Sequence, residues 1–294
     1  MKCRKCSAKA VSDDPQYCKE HFVSHIEKKV IKTIKDYNLL EKQDRICVAV
    51  SGGKDSLTTL HILKKLGYDA EGICIDEGIR GYREHTIEDL KHFAEKESIK
   101  IRIYSVKRIF GKSLDQLVKM TKRGPCTICG VLRRYLLNKY SQGYDKTATG
   151  HNMDDEAQAV MMNLIRNQPE INARLGPKTG LRKFKGFTPR VKPLYFCKEK
   201  EIMTYALLNG FRIRFNECPY AKLSFRARIR DMINEQENKM PGSKENIIKY
   251  YLARQEKLKS RFTGAGEPNT CSCGQPSKSM ICSTCALLQE LKMK

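Results

Sequence analysis

Between Arg45 and Gly67 a short, β-branched apolar run, RICVAV (45–50), breaks at Ser51-Gly52-Gly53. It is followed by SLTTLHILKKLG (56–67), a helical pattern stopped by glycine. A strand that turns on two glycines into a helix constrains the fold most, because the same alternation then recurs. YDAEGICID (68–76) reads as a second strand, YREHTIEDLKHFAEKES (82–98) as a helix and IKIRIYSV (99–106) as a third strand. RRYLLNKY (133–140) is helical, and DKTATGHN (145–152) is a strand end. MDDEAQAVMMNLIR (153–166) is a helix with acids in its first turn, where the dipole favours them. Strand and helix alternating at this pitch predict an α/β fold, a parallel sheet with helices on both faces. Ligands of such sheets bind beyond the carboxyl ends of the strands. SGGKDS, the end of the second strand near Asp76, and Gly150-His151-Asn152 are all expected there.

The flanks are less regular. HIEKKVIKTIKDYNLL (25–40) has helical spacing, KTGLRKFKGFTPRVKPL (178–194) is basic and broken by Gly and Pro, and KEKEIMTYALLNG (198–210) is a helix closed by glycine. Two basic helices are expected over 224–239 and 243–262, then a linker, TGAGEPNT. The expected organisation is an N-terminal cysteine module (1–24), a main α/β domain (25–240) with a basic C-terminal part, a helix and linker (241–268) and a second cysteine module (269–294). Lys and Arg number 56 against 33 Asp and Glu, a formal charge of +23, so a polyanion is the expected partner. The plainer reading is a solvated basic surface. No run of 18 apolar residues exists and MKCRKC has no apolar core of a secretory signal, so a cytoplasmic protein without membrane contact is expected. In that setting 13 cysteines point to metal or redox chemistry rather than a disulfide framework.

The loop Ala49-Val50-Ser51-Gly52-Gly53-Lys54-Asp55-Ser56 is built for an anion. Two glycines at a helix start let backbone N–H groups surround a phosphate, with Ser51 and Ser56 as hydroxyl donors and Lys54 as a charge. It is not a Walker loop: Val48 stands where the first glycine belongs, and Asp55 where Ser or Thr would hold magnesium. A carboxylate beside phosphates repels them unless a cation lies between or it acts as a base. Asp154 and Asp155 read equally well as site acids or as plain helix-start acids.

The cysteines fall into three sets. Cys3-x2-Cys6-x11-Cys18-x2-His21 has the spacing of a structural zinc site. Cys271-x-Cys273-x8-Cys282-x2-Cys285 reads as a second, with one residue in its first gap. Cys126 and Cys129 in GPCTICG precede a helix, whose N-terminus is expected to favour thiolate, and Cys218 in NECPY is the third candidate. Cys-Pro occurs beside iron–sulfur ligands. A redox-active disulfide or persulfide pair and a third zinc site are the alternatives. Cys47 and Cys74 read as small core hydrophobes; Cys197 has no assigned role.

SGGKDS after an apolar first strand resembles the phosphate loop of the PP-loop ATP pyrophosphatases. With the terminal cysteine modules, the central CxxC, GHNMDDEA and the later Cys-Pro, nearly the whole chain resembles the TtcA/TtuA-like tRNA 2-thiolation proteins, in their two-zinc-finger branch. The resemblance implies a Rossmann-like PP-loop fold that adenylates the C2 oxygen of a tRNA uridine with ATP and Mg2+. Sulfur then replaces AMP to give 2-thiouridine, at the wobble position or alternatively in the T-loop. It further implies a [4Fe–4S] cluster on Cys126, Cys129 and Cys218 with one open iron, and two Zn2+. Ile75, Gly150, Asn152 and Asp155 would approach the nucleotide, and Asp55 would hold magnesium. Arg133 stands where the family has a lysine, which keeps a phosphate contact but not a proton-transfer role. The sulfur donor would be free sulfide or a ubiquitin-like thiocarboxylate protein, and a homodimer is implied. RNA contacts are expected at Lys183, Lys185, Arg190, Arg226, Arg228 and Arg230. Two rivals are a PP-loop ligase acting on a small molecule and a non-catalytic zinc-containing RNA-binding protein.

Overall fold

A computed structural model of the chain describes residues 1–181, 186–212, 214, 217–263 and 269–293. Helix α1 (Lys19–Asp36) leads to strand β1 (Arg45–Ala49), α2 (Lys54–Lys65), β2 (Asp69–Asp76), α3 (Arg83–Lys96) and β3 (Ile101–Ser105). Short α4 (Val106–Phe110) and α5 (Leu114–Val118) precede α6 (Pro125–Tyr140), β4 (Lys146–Thr149), α7 (Met153–Ile165) and α8 (Pro169–Asn172). Strands β5 (Lys178–Thr179) and β6 (Arg190–Val191) are two residues each; α9 (Glu199–Leu208), α10 (Phe225–Lys239) and α11 (Ser243–Ser260) follow. A small hairpin, β7 (Asn269–Thr270) and β8 (Pro276–Ser277), and α12 (Ser283–Glu290) close the described chain.

The main sheet has the order β3-β2-β1-β4-β6-β5. Its pairs are parallel except β5, which runs antiparallel to β6 and departs from the expected all-parallel sheet. From β1 the chain winds outward through β2 and β3, then returns to place β4 on the other side of β1. The crevice at the carboxyl ends of β1 and β4 is therefore the topological switch point.

Both faces of the sheet are buried, which is why its strands are runs of apolar residues rather than alternating ones. On one face Ile46 and Val48 of β1 pack in a core with Ile26 and Val30 of α1, Leu57 and Leu60 of α2, and Tyr205 of α9. On the other, Cys47 and Ile73 meet Ile128, Leu132 and Leu136 of α6, together with Leu287 and Leu291 from the C-terminal segment. Each Ile or Leu so buried contributes roughly 1.5–3 kcal/mol. Burial pushes the core thiols up, Cys47 and Cys197 to about 12 and Cys74 to about 11, so these three are packing groups.

Three helices start earlier than their periodicity suggests. α1 begins at Lys19, with Cys18 at its N-cap. α2 begins at Lys54, so Lys54, Asp55 and Ser56 form its first turn. α6 begins at Pro125, which puts Cys126 and Cys129 inside the helix rather than before it. Proline at the first helical position explains the last case, because its fixed φ suits the turn and its missing N–H would have been unpaired there.

Candidate active site

The loop between β1 and α2 is held in shape by a buried arginine that the motif does not contain. Gly52 has φ +87, and a Cβ there would lie 2.3 Å from the carbonyl oxygen of Thr86 on α3. Only glycine allows the loop and α3 to come so close. Next to that contact, Arg83 Nη1 donates to Ser51 O at 2.7 Å and to Thr86 Oγ1 at 3.0 Å. Its Nη2 donates to Ile75 O at 2.8 Å and to Cys74 Sγ at 3.0 Å, and its Nε lies 2.9 Å from Glu77 Oε2. Burial alone would lower the Arg83 pKa, but Glu77, Cys74 and Tyr82 together outweigh it and the net shift is upward. Ile75 therefore has a buried side chain and a carbonyl committed to Arg83.

Opposite this loop stands the end of β4. A Cβ on Gly150 would lie 2.7 Å from both Asp55 C and Ser56 N, so the strand end and the first turn of α2 touch backbone to backbone. Asn152 donates from Nδ2 to Asp55 Oδ1 at 3.0 Å. It also N-caps α7, with its Oδ1 accepting from Asp155 N at 3.0 Å and its own N–H donating to Asp155 Oδ2 at 3.4 Å. The adjacent acids, indistinguishable in sequence, have different roles. Asp154 is structural: its Oδ2 accepts from Glu199 N at 2.8 Å and its Oδ1 meets Lys244 Nζ. Asp155 faces the loop and pairs with Arg226 at 3.5 Å.

Burial raises the pKa of Asp55; Lys54 opposes this, and the Asp155 charge adds to it. Burial also raises Asp155, against the pull of Arg226. Two half-buried carboxylates acting on each other fit a divalent cation, which would relieve their repulsion. Lys54 Nζ lies 3.0 Å from Asp55 Oδ2 and 2.8 Å from Glu199 Oε1 on α9. Burial works to lower its pKa, but these carboxylates hold it above the usual lysine range. His151 is exposed beside the crevice, hydrogen-bonded to Thr149 Oγ1 at 2.8 Å. Desolvation and then the Lys192 charge push it down to about 3, so it is a neutral ring at working pH.

Cys126, Cys129 and Cys218 come together on the side of this crevice formed by α6. Cys126 and Cys218 both act electrostatically on Cys129, and Cys126 on Cys218, while Cys126 Sγ lies 3.8 Å from Tyr220 O. The expectation of a lowered thiol pKa is corrected here. Burial pushes Cys129 up to about 11, and burial also raises Cys218. Cys129 sits in the second turn of α6, beyond the reach of the helix end, so desolvation wins. Three converging thiols, with no fourth cysteine beside them among the described residues, fit a cluster with one non-protein position. Arg133 joins the thiols to the loop: its charge acts on Cys129 and on His151, and its Nη1 lies 3.9 Å from Glu77, the partner of Arg83.

Both terminal cysteine sets converge. The ligand atoms of Cys3, Cys6, Cys18 and His21 lie within 4.8 Å of one another, as do those of Cys271, Cys273, Cys282 and Cys285. The short Cys271–Cys273 gap is accommodated by the β7–β8 hairpin turn, with Cys271 N donating to Gln275 O at 2.9 Å. Hydrogen bonds, first from the Cys273 backbone, pull the Cys271 thiol down to about 6. Four soft donors so arranged fit a tetrahedral zinc ion.

Of the basic residues expected to meet RNA, Arg226 is paired with Asp155 and Arg230 with Glu217 and Asp231. Arg228 is exposed, Arg190 begins β6, and Lys183 and Lys185 lie outside the described residues. Arg83 and Glu199 are the site-shaping residues missed from sequence. Each sits more than 25 positions from the lysine or serine it holds, and no local pattern marks either.

The PP-loop domain profile matches residues 22–237. The chain is 39% identical to the tRNA-5-methyluridine(54) 2-sulfurtransferase of Pyrococcus horikoshii, covering 100% of this chain and 96% of that one. It is 35% identical to the cytoplasmic tRNA 2-thiolation protein 1 of Drosophila melanogaster, over 93% of this chain and 82% of that one. The U34-tRNA thiolase NcsA from Methanococcus maripaludis, solved with its [4Fe–4S] cluster, superposes with a TM-score of 0.81 at 34% identity. That match covers 99% of this chain and 96% of the thiolase.

Proposed function

This chain belongs to the PP-loop family, within its tRNA 2-thiolation proteins, and we propose that it is an ATP-dependent tRNA uridine 2-sulfurtransferase. One observation supports this reading above the others. Glu77 links Arg83, which holds the phosphate loop, to Arg133, which reaches the three-thiol set, so the loop and the thiols share one crevice. A PP-loop ligase on a small molecule needs no such set, and an RNA-binding protein without activity needs no Asp55–Asn152–Lys54 constellation.

In this reading the backbone N–H groups of Gly52 and Gly53, the hydroxyls of Ser51 and Ser56 and the Lys54 ammonium hold the triphosphate. Asp55 and Asp155 hold Mg2+ against it, which explains an acid in a phosphate loop. The uridine O2 attacks the α-phosphorus, an O–P bond forms, the α–β bridge breaks, and pyrophosphate leaves with the electron pair. A sulfur nucleophile then adds at C2 and the C–O bond breaks, releasing AMP and leaving 2-thiouridine. Arg133 stabilises the charge that develops on phosphate oxygens, and His151, neutral, adds no competing cation. Cys126, Cys129 and Cys218 would hold a [4Fe–4S] cluster, which would supply a site for binding sulfur. Cys3, Cys6, Cys18 and His21, and Cys271, Cys273, Cys282 and Cys285, hold one Zn2+ each in modules flanking the catalytic domain. Hydrosulfide, free or released from a ubiquitin-like thiocarboxylate protein, is the sulfur source, and the working unit is a homodimer. No described helix is long and apolar enough to cross a membrane.

Anaerobic purification with iron, sulfide and zinc analysis tests the metal half of this reading. About four irons and two zincs per chain are expected, with iron lost in Cys126→Ala, Cys129→Ala and Cys218→Ala. Zinc without iron would move the central thiols to persulfide chemistry. Incubation with tRNA, ATP and sulfide, followed by nucleoside mapping, tests the rest. We take the wobble uridine as the site, after the full-length match to a U34 thiolase. Sulfur at position 54 would instead align the chain with the sulfurtransferase of Pyrococcus horikoshii.

A further inference from the structure

Beside the thiols lie two arginines that the proposed chemistry does not use. Arg134, on α6, folds back along the helix, so that a Cβ on Gly130 would meet its Nη1 at 3.0 Å. Arg190 begins β6, in register with Thr147 of β4. Among the described residues no carboxylate pairs with either. The charged groups acting on Arg190 are Arg134, Cys47 and Arg133, and those acting on Arg134 are Arg133 and Cys129. Arg134 is exposed and Arg190 half-buried. Yet burial, then Arg134, pushes Arg190 down to about 10, and burial, then Arg133, lowers Arg134. Two neighbouring like charges without a counter-ion, one of them half-buried, are costly unless an anion arrives from outside.

The surroundings narrow the anion. Thr147 Oγ1, a hydroxyl beside Arg190, is buried without a hydrogen-bond partner. Phe187 is 40% exposed, and Arg190 Cζ sits 5.2 Å from its ring centroid. The segment carrying Phe187 is pinned to the same helix: Asn138 Nδ2 donates to Gly186 O at 3.2 Å and Thr188 Oγ1 to Ser141 O at 2.8 Å. An exposed aromatic ring backed by arginine, next to two unpaired guanidinium forks, matches what an unstacked nucleotide needs, a flat surface for the base and a fork for the phosphate.

We propose that Arg134, Arg190 and Phe187 form a single-stranded RNA subsite beside the catalytic crevice. The two guanidiniums hold one phosphodiester of a nucleotide neighbouring the reacting uridine, and Phe187 stacks on that nucleotide's base. The inference rests on the tRNA reading above and adds to it the residues that present the uridine. Phosphates of ATP share the same oxyanion chemistry, so the test separates the two sources.

The cluster-loaded, full-length protein carries Arg134→Gln, Arg190→Gln or Phe187→Leu, and tRNA affinity is measured against salt without ATP. Each arginine variant is expected to bind tRNA several-fold more weakly and to lower the slope of log affinity against log salt, and the double variant to lower it by about 0.7–1 in all. Phe187→Leu is expected to weaken tRNA binding by about fivefold or more with the slope kept. ATP affinity without RNA should stay at the wild-type value, and Tm should not fall in Arg190→Gln. Where a glutamine variant does lose stability, Arg134→Lys and Arg190→Lys keep the charge and should keep the slope. Unchanged slopes in both glutamine variants overturn the subsite, and a parallel fall in ATP affinity reassigns the arginines to the nucleotide. Wild-type protein that binds no tRNA sinks the tRNA reading itself, a result distinct from either.

Discussion

Gly150→Ala probes the contact on which the proposed site depends. Gly150 is not in a left-handed conformation, so alanine brings no backbone strain there, only a methyl group. That methyl would lie 2.7 Å from Asp55 C and Ser56 N, where ordinary contact begins at 3.4 Å, and the obstacle is backbone rather than a flexible side chain. The two segments must separate by about 0.7 Å, the difference of those distances. Moved by the same amount, the 3.0 Å bond from Asn152 Nδ2 to Asp55 Oδ1 stretches to about 3.7 Å, no longer a hydrogen bond. Overpacking of this kind costs roughly 1–3 kcal/mol, a fall in Tm of several degrees for a chain this size. Displacing a catalytic group by close to 1 Å lowers turnover by about 100-fold. The assay pairs calorimetry of the metal-loaded protein with the rate of 2-thiouridine formation at saturating ATP and tRNA. A Gly150→Ala protein with unchanged Tm and a rate within about twofold of wild type would falsify the close approach of β4 and α2.

Asp55→Asn should raise the Tm of the metal-free chain at neutral pH while abolishing ATP-dependent thiolation. Burial, opposed by Lys54 and aided by Asp155, raises the folded pKa of this acid, so its contribution to stability is full below the unfolded value and lost as pH rises through the folded one. The stability gap to wild type should close on acidification below about pH 4; a gap independent of pH rules out the desolvated carboxylate. Arg83→Met leaves Glu77 buried without its partner and should cost about 3–5 kcal/mol, with Glu77→Met in the same chain recovering most of it. Equal Tm for the single variant and wild type in thermal unfolding would show the ion pair to be dispensable. Cys282→Ser should release one zinc, read by metal analysis, and leave ATP affinity in place, since the loop is held from α3 and not from the C-terminal module. The pH profile of kcat/KM should show no inflection from His151 between roughly pH 5 and 8, so the profile of His151→Asn should keep the wild-type shape.

The alternation of strand and helix was legible because both sheet faces are buried, and apolar runs such as RICVAV leave little choice of role. The loop glycines were legible for a related reason: at Gly52 and Gly150 a side chain would strike backbone, and sequence records that as glycine. β5 and β6 were not, because two residues carry no period. Asp154 and Asp155 share a sequence context, and only the packing of α9 and α11 against α7 gives the first a lysine and leaves the second to the crevice. The thiol pKa of Cys129 went the other way for a similar reason, since helix position is written locally and burial is not.

The dependence of the loop on Arg83 bears on how the protein acquires its binding site during folding. Residues 45–65 contain every member of the phosphate-loop motif, yet the carbonyl of Ser51 is held by a side chain from α3, which is docked beyond a second strand. A partly folded chain in which β1 and α2 have formed but α3 has not would own the motif without its shape. Nucleotide can therefore reward only the late, fully docked state. Grafting the SGGKDS segment onto another β–α unit would transfer the letters and leave the pocket behind.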